Sequence, residues 1–113
     1  MTTRRSKDSL EYKREREETK ALEAILGGPL TLGMALEGLR RCDELSQAAF
    51  AKKLKISPQK LCDIEKGRRQ VSPARAAQFA RRLGHPIAVF VRLALQDQVN
   101  AGGLKFRFSV EAA

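Results

Sequence analysis

The sequence predicts an all-α domain of five short helices, with a charged N-terminal helix before it and a C-terminal β-strand after it. Three observations carry that expectation. Apolar residues recur at i, i+3, i+4 and i+7 in two places, as Leu32, Ala35, Leu36 and Leu39 and as Ala76, Phe79, Ala80 and Leu83. Ser57-Pro58 and Ser72-Pro73 are paired helix-start signals, Ser accepting free amide hydrogens and Pro suiting the first turn. Strict alternation is confined to the residues after Gly102-Gly103.

Each element follows from its residues. Met1 to Lys20 carries seven basic and five acidic residues with Leu10 as nearly the only aliphatic, so this stretch alone cannot build a core. Ala21 to Leu26 continues it in a short helical pattern that Gly27-Gly28-Pro29 stops, giving a helical extension over residues 1–28. The domain proper spans residues 29–99. A first core helix runs from about Thr31 to Cys42, and Ser46 caps a second of about two turns with Phe50, Ala51 and Leu54 inward. Ser57-Pro58 opens a third that Gly67 ends, and Ser72-Pro73 a fourth that Gly84 ends. Pro86 opens a fifth, with Ile87, Phe90, Val91 and Leu93 or Leu95 inward. Over residues 100–113, Leu104, Phe106, Phe108 and Val110 alternate with Lys105, Arg107, Ser109 and Glu111, the period of a half-buried strand. A lone strand leaves backbone groups unpaired, so its expected partner is another chain.

Composition narrows the function. A chain of 113 residues is one domain, and 22 Lys plus Arg against 13 Asp plus Glu give a formal charge of +9. From Leu45 to Leu83, ten basic residues meet only Asp63 and Glu65, so nearly all the excess sits there and favours a polyanionic partner. No apolar run approaches the roughly 18 residues of a membrane span, and the charged start lacks a signal peptide's apolar stretch, so a cytoplasmic protein is expected. Cys42 and Cys62 are too few for a disulfide framework and, with His85 as the only histidine, make no metal site. Both thiols read as small structural residues, and His85 as a loop or cap residue. No phosphate loop or catalytic triad is present, so neither an enzyme nor a cofactor is expected.

Residues 45–69 encode two short helices across a three- or four-residue turn, which is a helix-turn-helix. Leu45-Ser46-Gln47, Leu54, Ile56-Ser57 and Ile64-Glu65-Lys66-Gly67-Arg68-Arg69 give this stretch its character, and with them the sequence resembles the lambda-repressor-like family, also called Cro or XRE, over about Leu32 to Leu83. The resemblance implies double-stranded DNA as partner. It places Gln47 on a phosphate, Ser57, Gln59, Lys60 and Asp63 at base-reading positions of the third helix, and Lys66, Arg68 and Arg69 on the backbone beyond it. It also implies an ion pair between Arg40 and Glu65 that locks the first helix to the third. Asp63 either accepts from a cytosine amino group or orients Lys60 or Lys66. Lys52 and Lys53 read as solvated, and Arg75, Arg81 and Arg82 lie on a helix expected to face away from the duplex, so all five stay outside the site.

Two positions depart from the family pattern. Lys55 stands where a left-handed Gly is usual, at a cost of order 1 kcal/mol. Pro58 occupies the first position of the recognition helix, which shifts base contact to Ser57, Gln59 and Lys60. Such domains bind as twofold dimers, and Phe90, Leu93 and Leu95 of the fifth helix, with Leu104, Phe106, Phe108 and Val110 of the strand, are the expected homodimer or partner surface. The small size and charged extension are similar to HigA-type antitoxins, which neutralise a RelE-like toxin and repress their own operon. A stand-alone phage or mobile-element repressor, and a protein that mainly inhibits a partner toxin, are the alternatives.

Overall fold

Four hydroxyls set the helix starts of this domain. In the computed structural model, which describes residues 17, 30–107, 109–111 and 113, the Thr31 hydroxyl accepts the Met34 amide at 3.1 Å and opens α1, Leu32–Cys42. Ser46 accepts from Ala49 at 3.1 Å and opens α2, Gln47–Leu54. Ser57 accepts from Lys60 at 3.1 Å and opens α3, Pro58–Glu65. Ser72 accepts from Arg75 at 3.2 Å and opens α4, Pro73–Leu83. Each bond satisfies an amide that has no partner within its own helix. Pro58 and Pro73 sit in the first turns, where a missing N–H costs nothing. The last helix, α5, Ile87–Ala101, follows Pro86 without a side-chain cap.

The five helices α1 to α5 end in the same way. After each, one residue takes a left-handed conformation: Glu44 at φ 55°, Lys55 at φ 58°, Gly67 at φ 78°, Gly84 at φ 71° and Gly103 at φ 75°. The following amide then reaches back five residues, as from Leu45 to Arg40, Ile56 to Ala51, Arg68 to Asp63, His85 to Ala80 and Leu104 to Val99. This is the Schellman closure, which satisfies carbonyls that the helix leaves open.

The chain divides into two units, Met1–Leu30 and Thr31–Ala113, and the described residues build the second almost in full. The N-terminal helix expected over residues 1–28 lies outside them except at Glu17, which is helical and exposed. The core of the second unit is aliphatic and phenylalanine-rich, with Leu32, Leu36, Phe50, Leu54, Leu61, Phe79 and Ala80 essentially without solvent contact. Here α4 packs broadly on α5, α2 on α3 and α4, and α1 on α3 and α5. On α1 the close approach needs Gly33, since a Cβ there would come within 2.1 Å of the Ile64 carbonyl oxygen.

Two expectations are corrected. Leu104 to Val110 forms no strand among the described residues. Alternation supplies only a strand's faces, and the described chain offers no neighbouring strand for its backbone groups. Leu104 instead closes α5, and the Phe106 carbonyl accepts from the Gln96 side chain at 2.5 Å. On α5 the inward residues are Phe90, Leu93 and Ala94, while Ile87 is 38% exposed.

Candidate nucleic-acid interface

Glu65, the last residue of α3, organises the helix-turn-helix from inside. Its side chain is 1% exposed, and Arg40 of α1 grips it with a two-pronged contact, Nε to Oε2 at 2.9 Å and Nη2 to Oε1 at 3.1 Å. A planar guanidinium matches a carboxylate in this fork geometry. The third prong, Nη1, donates to the Leu45 carbonyl at 3.1 Å and so holds the α1–α2 connection as well. These bonds to Glu65 raise the Arg40 pKa above its ordinary value, against a smaller opposing effect of burial. Gln47 completes the cluster by donating from Nε2 to Glu65 Oε1 at 3.0 Å. One buried carboxylate therefore ties the start of α2 and the body of α1 to the end of α3.

The outer face of α3 is built differently. Ser57 and Gln59 are exposed and Lys60 is half-buried. The Ser57 hydroxyl oxygen accepts in the helix cap, so its acceptor capacity is already partly used. Gln59 Nε2 donates to Asp63 Oδ1 at 3.1 Å. Arg68 donates to the same oxygen twice, from Nε at 3.1 Å and Nη2 at 3.0 Å. Its pKa is raised, first by those hydrogen bonds. The partners of Asp63 are thus Gln59 and Arg68, not Lys60 or Lys66. Beyond α3, Lys66, Arg68 and Arg69 are all exposed, and the Asp63 carbonyl accepts the Arg68 and Arg69 amides at 2.8 and 3.2 Å. That short basic segment is therefore anchored to α3 through its backbone.

The expected association surface is only partly available. Phe90 and Leu93 are 3% and 2% exposed inside their own chain, so neither offers area to a partner. Leu95 and Val110 are half-buried, Leu104 and Phe106 are 54% and 64% exposed, and Phe108 lies outside the described residues. Sequence reasoning also passed over residues that shape the site. Arg82 of α4 donates to the Leu54 carbonyl at 2.6 Å and fastens the end of α2. Asp97 of α5 accepts the Leu32 amide at 3.0 Å and caps the start of α1. Only Gly33 carried a readable signal, a glycine within an apolar helical stripe, which marks close packing.

Among the described residues no helix is long and apolar enough to cross a membrane. Neither the curated proteins nor the solved structures hold a match to the chain. Residues 31–93, more than half of its length, match the family model described as "Helix-turn-helix domain".

Proposed function

The chain belongs to the helix-turn-helix domain family, and from that premise we propose that it is a sequence-specific transcriptional regulator of the lambda-repressor-like (Cro/XRE) type. It acts as a homodimer that occupies an operator, with α3 in the major groove. The observation that carries this reading is the contrast between the two faces of α3. Its inner face is locked to α1 and α2 through Glu65, while Gln59 and the segment Lys66, Arg68 and Arg69 are exposed. A rigid helix with an open polar face suits base readout, and the flanking cations suit phosphates. Gln47 reaches a phosphate from the start of α2, Ser57, Gln59 and Lys60 face bases, and Asp63 stands among them.

The test is a mobility-shift titration on DNA from directly upstream of the protein's own gene, at several salt concentrations, against a scrambled duplex. The expected result is binding to the upstream fragment at least about a thousandfold tighter than to the control at physiological salt. Equal, salt-sensitive binding to both overturns sequence reading, because charge alone produces it.

A second reading, antitoxin action of the HigA type on a RelE-like toxin, is favoured by the exposure of Leu104 and Phe106. Side chains of that size left in solvent suit a protein partner. In that setting Gln47→Ala with Gln59→Ala abolishes operator binding yet leaves inhibition of a co-expressed toxin intact. Loss of both activities together overturns the division of roles.

A further inference from the structure

We infer that Asp63 is a positioning residue that makes Gln59 a reader of adenine, rather than a reader of bases itself. The inference rests on the DNA-binding reading above and adds to it the base that α3 selects. A free glutamine carboxamide can turn over and offer its donor and acceptor in either order. Here a carboxylate oxygen lies 3.1 Å from one end of it. An ionised carboxylate only accepts, so the NH2 end must face Asp63, and the flip is removed. Gln59 then retains one N–H and its carbonyl oxygen for the groove. A donor beside an acceptor complements adenine, which presents the N7 acceptor beside the N6 donor; guanine presents two acceptors and can satisfy only one of the pair.

The same Oδ1 that orders Gln59 also takes two hydrogen bonds from Arg68. Three donors converge on that oxygen, all from groups of this chain, and the Asp63 side chain is 27% exposed against 59% for Arg68. One of the two carboxylate oxygens, Oδ1, is therefore already taken up by donors of this chain. Arg68 keeps the larger share of its surface open and is held where the chain leaves α3. Base selection by Gln59 and backbone contact by Arg68 are thereby set by one acid.

The test is selection from a randomised duplex pool, followed by titration of the recovered site and its single-base variants, with wild type, Gln59→Ala, Asp63→Asn and the double variant. A neutral Asn presents either an oxygen or an NH2 to Gln59 and permits the flip again. In wild type, changing one A·T pair of the site costs about tenfold or more, and Gln59→Ala removes that preference. Asp63→Asn is expected to relax the same pair and no other, to change affinity for every duplex alike through Arg68, and to add no further change of base preference in the Gln59→Ala background. Losses at a separate G·C pair that multiply in the double variant show Asp63 reading cytosine and overturn the inference. So does an adenine preference that survives Asp63→Asn. Arg68→Gln is the control: it lowers affinity and salt dependence on every duplex while leaving base preference unchanged, and a changed preference there assigns the positioning to Arg68 instead. If wild type recovers no site at all, the regulator reading itself falls, an outcome distinct from the others.

Discussion

Glu65 and Glu37 show how little a short distance says about the worth of an ion pair. Glu37 meets Arg41 at 2.7 Å, closer than the 2.9 Å between Glu65 and Arg40, yet Arg41 is 72% exposed whereas Glu65 is 1% exposed. An exposed pair is screened and must hold two long side chains still, so Arg41→Ala is expected to cost no more than about 0.5 kcal/mol. Arg40→Ala leaves a buried carboxylate with only Gln47 as partner, and the loss is about 3 kcal/mol. Urea unfolding of both variants checks the contrast, and equal midpoints would refute it. The Arg40–Glu65 lock entered the sequence reading through family resemblance, because nothing in the spacing of two residues 25 apart announces a contact. The bond of Asp63 to Arg68 stayed hidden for another reason. Acidic and basic residues at several spacings surround Asp63, and only the left-handed Gly67 turn folds Arg68 back toward it.

At the scale of the element, the helix starts were legible and the ends only where glycine marks them. Ser46, Ser57, Ser72, Pro58 and Pro73 state their own mechanism, whereas Glu44 takes the left-handed position with a side chain that carries no such signal. The inward face of α5 was legible at Phe90 and Leu93 and misjudged at Ile87, because apolar residues surround that helix and a period does not say which of them a neighbour covers. Glu44 and Lys55 pay for their left-handed backbone, at roughly 1 kcal/mol apiece before the greater freedom of an unfolded glycine is set against it. Glu44→Gly and Lys55→Gly are each expected to stabilise the fold by up to about 1 kcal/mol, nearly additively because they close different helices. Thermal unfolding of the singles and the double checks this. Asp97 adds a pH dependence to α1. Burial raises its pKa above the ordinary 3.8, with the Leu32 amide opposing, so over that window the native state binds more protons than the unfolded chain. Its contribution is fully present below the ordinary value and is lost as pH rises through the raised one. Wild type should therefore gain stability relative to Asp97→Asn between pH 7 and pH 4 in urea unfolding, and a constant difference would rule the linkage out.

Across the whole molecule, the charge of +9 and the placement of the cations make different predictions about DNA binding, and salt separates them. If the full basic surface drives association, all ten Lys and Arg between Leu45 and Leu83 act on each subunit. Displacing one counterion per phosphate contact then gives a dimer a log–log salt slope of about −18. The fold argues for far fewer. Arg82 is held on the Leu54 carbonyl, and α4, which carries Arg75, Arg81 and Arg82, is neither helix of the helix-turn-helix. Of the other seven, Lys60 is assigned to a base, and Lys52, Lys53 and Lys55 belong to α2 and its closing turn rather than to α3. Lys66, Arg68 and Arg69, exposed where the chain leaves α3 with Arg68 and Arg69 anchored through the Asp63 carbonyl, remain as the backbone contacts. Three per subunit give a slope of about −5 for a dimer, and neutralising any one of them should make it shallower by about 2. Arg75→Gln with Arg81→Gln should leave it unchanged. Titrations on the preferred duplex between low and physiological salt decide the matter. A slope near −5 that responds to Lys66, Arg68 and Arg69 alone places the DNA against the end of α3, whereas a much steeper slope shared by α4 would mean that net charge, not the local geometry of the helix-turn-helix, holds the duplex.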